Sequence, residues 1–185
     1  MSTVAPPMQQ QSRGRAFSAL VLGTRQAELS VDVVLLVVRI VLAWIFIYYG
    51  AGKLFGWFNG PGMHQTSLFM ADTAHLRPGG FFAVLGGLIE LGGGIAIGIG
   101  LATRVAGLAL FGDMVMAMIT VTWARGINSE QVPPGYELNL TLATLALVMI
   151  VLGAGRFSID AVIERRFMEP PSNPVGSASR NTGGR

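Results

Sequence analysis

Three ionisable residues stand inside long apolar stretches, where their presence needs a chemical or structural reason. Arg39 lies in VDVVLLVVRIVLAWIFIYYG, Glu90 in GFFAVLGGLIELGGGIAIGIG and Asp113 in TRVAGLALFGDMVMAMITVTW. At about 1.5 Å per helical residue, Arg39 is about 12 Å into its stretch, Glu90 about 15 Å and Asp113 about 13–14 Å. Each depth is close to the middle of a hydrocarbon core about 30 Å thick. A charge at that level costs about 2.5–3.5 kcal/mol on an insertion scale, so such residues turn inward and pair. The spacing therefore predicts a midplane cluster in which Arg39 neutralises Glu90, Asp113 or both. Three roles fit it, in decreasing order of expectation: a clamp that fixes helix register, a pocket for a quinone or other small molecule, and a proton or ion path. A clamp of this kind predicts that removing all three charges together restores what the loss of Arg39 alone would cost.

The surroundings of these residues agree with an inward face. Gly86, Glu90, Gly94 and Gly98 recur every four residues, and Ala106, Ala109, Asp113, Ala117 and Thr120 form a second stripe of small side chains. Small residues at helical spacing let membrane helices approach closely. A second polar group is expected at the outer mouth, where Lys53 follows the first stretch and Glu137 and Asn139 open the last. A Lys53–Glu137 pair and two independent interfacial side chains are both consistent with it. His64 and His75 are the two histidines, and both fall in the first outer loop. No metal site is expected from them, and a haem held between helices would need histidine at membrane depth.

The elements that must hold these groups follow from composition. Of 185 residues, 51% are hydrophobic and 12% charged, about half the charge of an ordinary soluble domain. Cysteine is absent, which removes disulfides, iron–sulfur ligation and CxxC redox chemistry. Any redox role then depends on a bound cofactor or a partner. The net charge of +3 comes from scattered Lys and Arg, with none of the basic striping that nucleic acid requires.

Four stretches have the length of a membrane span, at about residues 31–50, 80–100, 103–123 and 136–153. Backbone groups in hydrocarbon must bond internally, so each is expected to be a helix. The expected fold is all-α, a four-transmembrane-helix bundle over residues 31–160. Residues 1–30 form a cytoplasmic segment, partly disordered or helical on the membrane surface, and residues 161–185 a mostly disordered tail. Nine Lys or Arg fall on the side of the termini and three on the other, which puts both termini in the cytoplasm of a multi-pass plasma-membrane protein. Tyr48, Tyr49, Trp57, Trp123 and Tyr136 fit an aromatic belt on the outer side.

RIVLAWIFIYYGAGKLFGW, GGLIELGGGIAIGIGLATR and YELNLTLATLALVMIVLGAGRFSID together resemble the DoxX family of small bacterial membrane proteins. The resemblance runs from about Val37 to Asp160 and includes Arg39, Gly50–Lys53, Glu90, Leu101–Arg104, Tyr136–Leu138 and Gly155–Asp160. Ala154, Phe157 and Ile159 depart slightly from the closing motif. The resemblance implies a four-helix protein linked to redox assemblies, with no defined catalytic set. It favours an accessory or anchoring subunit of a redox, oxidative-stress or sulfur-handling complex. A quinone-binding oxidoreductase subunit of the thiosulfate:quinone type is the alternative, and a small transporter or proton relay ranks last. The chain itself supplies no intrinsic cofactor, a membrane quinone being the one the midplane charges would suit. Its partners are the lipid bilayer and proteins of such a complex, and the glycine stripe also suits a homo-oligomer.

Overall fold

A computed structural model describes the backbone of residues 8–128 and 130–168 and the side chains of residues 29–128 and 130–167. The described residues are helical, without strands. Helix α1 runs over Met8–Phe55, α2 over Gly62–Asp72, α3 over Gly79–Ile99, α4 over Thr103–Ala117, α5 over Glu137–Leu152 and α6 over Ile159–Met168. Leu29–Phe55, Gly79–Ile99 and Thr103–Arg125 are long and apolar enough to cross a membrane. Helix α5 is apolar but shorter, at 16 residues, about 24 Å by helical rise. The side chains of residues 8–28, on which the expected membrane-surface helix turns, and the tail beyond Met168 lie outside the description. Residues 161–168, expected to begin that tail, continue α6.

Apolar side chains face outward over these helices. Trp44 is 74% exposed, Val105 70% and Ile119 66%. In water such a surface would be costly at about 25 cal/mol per Å². Against lipid it costs nothing, and packing falls to small residues and polar contacts. Helices α1 and α3 make the most extensive pair, followed by α4 with α5. They run antiparallel, with Ala43 beside Gly98, Ile47 beside Gly94, Gly50 beside Leu91 and Leu54 beside Gly87. A Cβ on Gly50 would stand 2.5 Å from the Leu91 backbone nitrogen, so only glycine permits this approach. Gly94 and Gly98 of the stripe read from sequence thus face α1, joined by Gly87, whereas Gly86 faces Asp113 of α4 and Met70 of α2.

Arg39 is not in the middle of this packing. Its register places it at the carboxyl end of α3, and it is 1% exposed. There Nε donates to Ile97 O at 2.9 Å and Nη2 to Gly98 O at 2.9 Å. Nη1 donates to Ala154 O at 3.0 Å and Phe157 O at 2.7 Å. The last carbonyls of a helix lack partners within it and carry partial negative charge. One guanidinium, with donors in a fixed fork, therefore ties α1 to the end of α3 and to the chain leaving α5. Gly100 completes the stop with φ +71°, and its N–H and that of Leu101 bond back to Ile97 O and Ala96 O, a Schellman arrangement. The depth counted from Val31 misled because α1 starts well before that residue, so Val31 does not mark the edge of the bundle.

The closing motif locks the same end. Ala102 precedes α4 and has no side-chain oxygen to cap it. Asp160, from α6, supplies the cap: Oδ1 accepts from Ala102 N at 2.8 Å and Oδ2 from Thr103 N at 3.0 Å. Asp160 N returns a bond to Gly100 O at 2.9 Å. Ser158 caps α6 in turn, its Oγ accepting from Ala161 N at 3.1 Å. Partial burial pushes the Asp160 carboxyl up, but the Thr103 and Ala102 N–H groups, with Arg39 nearby, outweigh it and hold it below its ordinary range. A carboxylate with a lowered folded pKa adds stability above its unfolded pKa and loses it as pH falls through the folded one. Asp160→Ala should cost about 1 kcal/mol near neutrality, the usual worth of a helix cap. In detergent melts the gap between variant and parent should close as pH falls through the Asp160 titration.

Candidate functional site

Helix α1 does not end at Gly50, the expected boundary of the first span. The glycine is accommodated by close packing, and the helix continues to Phe55, where Gly56 at φ +71° breaks it. Lys53 is therefore carried on the helix, opposite the middle of α3, and not at a mouth. Its Nζ donates to Glu90 Oε1 at 2.6 Å. Glu90 is 2% exposed, and its Oε2 accepts no hydrogen bond among the described residues. The Asp113 carboxyl from α4 interacts with both Glu90 and Lys53. Two acids thus face one ammonium, and the group carries one negative charge when all three are ionised.

This arrangement corrects the expected pairings. Glu90 and Asp113 do come together, but their cation is Lys53. Among the described residues Arg39 bonds to backbone carbonyls alone, two at the end of α3 and two in the chain leaving α5. The guanidinium has no need of a carboxylate there, since four carbonyl oxygens satisfy it. The expected outer pair separates too: Lys53 bonds to Glu90, while Glu137 is exposed at the start of α5. Asn139 turns inward and donates through Nδ2 to Thr122 Oγ1 at 3.0 Å. His64 lies in α2 and His75 in the turn after it, both exposed.

Beside the charged group is a cavity of about 700 Å³, within the range of small-molecule sites. Lys53, Asp113 and Asn139 line it, together with apolar side chains from α2, α3 and α4 such as Phe69, Met70, Leu85 and Leu108. Two features form it. The stretch between α1 and α3 forms α2, which packs on α3, with Thr66 buried and its Oγ1 near Lys53 O at 3.3 Å and Gly62 O at 2.8 Å. On the other side α4 passes at Met118–Thr122 into a π-helical turn, which brings Thr120, Val121 and Thr122 to the wall. Such turns recur at functional sites. The sequence gives little warning of it beyond the β-branched run Ile119–Thr122.

The outward apolar faces and the buried charges define an α-helical protein of the membrane with a chiefly apolar cavity that carries a few polar groups. Residues 34–123 match the DoxX family. The chain is also similar to the inner membrane protein YqjF of Escherichia coli (strain K12), with 31% identity over 138 residues covering 74% of this chain and 96% of the relative. It belongs to the DoxX family. No solved structure matches it.

Removing one member of a buried pair leaves the other uncompensated, at about 3–5 kcal/mol. Lys53→Met should therefore lower the membrane level and the melting temperature sharply, and Lys53→Met with Glu90→Gln should recover most of the loss. Arg39→Leu should behave differently. Its cost is the loss of bonds to four backbone carbonyls, so adding Glu90→Gln and Asp113→Asn should leave it unrescued. Quantitative blots of membranes and melts in detergent read both series.

Proposed function

We propose that this DoxX protein is a four-helix plasma-membrane subunit, with both termini cytoplasmic, that holds a quinone for a redox complex. The arginine distribution supports the orientation, and YqjF supports a bacterial inner-membrane location. Helix α5 would serve as the fourth span, its 16 residues reaching across with some thinning of the bilayer.

The observation that carries the ligand is the cavity. Its walls are chiefly apolar, as a substituted ring and the start of an isoprenoid tail require, while Lys53, Asp113 and Asn139 offer polar partners for ring oxygens. Phe69, Leu85, Leu108 and Met116 line it and are also exposed on the apolar surface, which suits entry from hydrocarbon. The donor and acceptor set fits the group. When bound, a quinone supplies two-electron, two-proton redox capacity. The chain's own residues bind the head and shield it from water. With no cysteine in the sequence, and both histidines on the α2 side rather than between spans, electrons would reach the quinone through a partner protein. The accessory role is thereby kept and given a ligand.

A Cβ on Gly112 would meet nothing within 4 Å, and Gly112 lines the cavity. Gly112→Leu should fill the space without disturbing the charged group. Protein in lipid nanodiscs should bind a decyl-tailed quinone or its quinol saturably, and Gly112→Leu should weaken that binding at least about tenfold, the equivalent of about 1.4 kcal/mol. Absence of saturable binding of either form to the parent would overturn the reading.

A further inference from the structure

Helix α6 is 10 residues long, and among the described residues its hydrogen bonds to the bundle all come from Asp160 in its first turn. Beyond that turn its apolar side chains are uncovered. Ile159, Ile163 and Phe167 recur every four residues and form one row along the helix, and all three are exposed, Phe167 at 82%. Val162 is exposed beside the row, while Glu164 and Arg165 point away from it. A helix shorter than about 12–15 residues is marginal in water by itself, and an uncovered apolar row adds to the cost. The level at which α6 begins is fixed by its tie to Gly100, Ala102 and Thr103. Leu101 in that turn and Leu152 at the end of α5 are exposed, so the outward apolar belt reaches the start of α6 and ends there.

Cations gather at the same level. Arg104 Nε would be 3.6 Å from a Cβ on Gly153, which puts its guanidinium where α5 ends. Arg156 follows in the exit from α5, and Arg165 and Arg166 are exposed on the last turn of α6. Among the described residues Arg104, Arg165 and Arg166 have no carboxylate partner. Two of the nearby acids are taken up by backbone N–H groups, Asp32 by Arg156 N and Asp160 by Ala102 N and Thr103 N. Glu164 is the one carboxylate left on α6, so this end keeps an excess of positive charge.

We propose that α6 is an anionic-phospholipid-binding helix that lies on the membrane surface, its apolar row sunk to the acyl boundary and the arginines around it held by lipid phosphates. An amphipathic helix with arginines beside its apolar face binds a leaflet in this way. Guanidinium groups pair with phosphate through two parallel bonds, and cations near an anionic surface are attracted even without direct contact. Arg166 stands at the flank of the row, and its long stem lets the charged head reach the headgroups while the row is buried. A second copy laid on the same face would bring like charges together, whereas an anionic leaflet answers both the apolar row and the unpartnered arginines. Binding to this surface would also fix α6, and through Asp160 the cap it supplies to α4.

The sequence has no cysteine, so one introduced cysteine carries a nitroxide at one known position. Ile163→Cys, Phe167→Cys and Glu164→Cys are labelled in the full chain, one copy per nanodisc, in phosphatidylcholine alone or with phosphatidylglycerol added. Power saturation in EPR compares collision with oxygen, which concentrates among acyl chains, with collision with a water-soluble nickel chelate. In the anionic discs the oxygen-to-nickel ratio at Ile163 and Phe167 should exceed that at Glu164 at least threefold, as expected for a row sunk about 5–10 Å. The contrast should shrink toward unity in phosphatidylcholine alone, and also in anionic discs when Arg165→Gln and Arg166→Gln are combined. Phe167 as open to the nickel chelate as Glu164 in anionic discs is the result expected of a helix that awaits a protein partner, and it overturns the proposal. A contrast unchanged by lipid composition, or by removal of the two arginines, overturns it as well.

Discussion

The contact between Lys53 Nζ and Glu90 Oε1, at 2.6 Å, sets the conditions for the interior of this protein. A carboxylate halfway along an apolar helix is costly unless a cation reaches it, and Lys53 is the cation that does. For it to reach, α1 must continue past Gly50 and lie close against α3. The glycines on both helices allow that distance. Once α1 stops at Phe55, the level beyond is open, and α2 packs on α3 to occupy part of it. The cavity is the part that remains, bounded by α2, α3 and α4, with Lys53 and Asp113 on its wall. Charge pairing, close helix packing and the presence of a cavity are thus consequences of one placement.

The other end of the bundle solves a different problem with different means. Three chain reversals or exits meet there: the end of α3, the start of α4 and the segment from α5 to α6. Their free carbonyls and N–H groups are served by two side chains, Arg39 for the carbonyls and Asp160 for the N–H groups. Asp32 adds a third tie, accepting from Arg156 N at 3.1 Å. The fixed fork of a guanidinium suits this, because four carbonyls from two segments converge on one planar group. The result is a rigid end and, at the other side of Glu90, a cavity-bearing half. That division separates residues that hold the helices together from residues free to meet a ligand.

The helices were legible in the sequence because hydrocarbon demands long apolar runs, and Glu90 and Asp113 because their cost demands a reason. Their adjacency followed from matching depth. Sequence alone points to Arg39 as their partner because it shows side chains and hides backbone carbonyls, which are its true acceptors. Gly50 resembles an ending in the sequence and so points Lys53 to the surface, whereas a glycine packed against Leu91 can sit inside a continuous helix. Asn139 and Glu137 open α5 together in the sequence, but Asn139 turns to Thr122 while Glu137 is exposed. The π-helical turn at Met118–Thr122 and the docking of α2 on α3 depend on contacts far apart in the chain. Neither leaves a periodic signal.

The central claim is that Lys53, and not Arg39, neutralises Glu90 inside the membrane. Solid-state NMR on protein in lipid, with ¹⁵N in lysine or arginine side chains and ¹³C in glutamate carboxyls, measures this contact directly. A strong lysine nitrogen–carboxyl dipolar coupling is predicted, lost in Glu90→Gln and in Lys53→Met, with no coupling from arginine to the Glu90 carboxyl. An arginine coupling that disappears in Glu90→Gln, with no lysine coupling to the same carboxyl, would contradict the account.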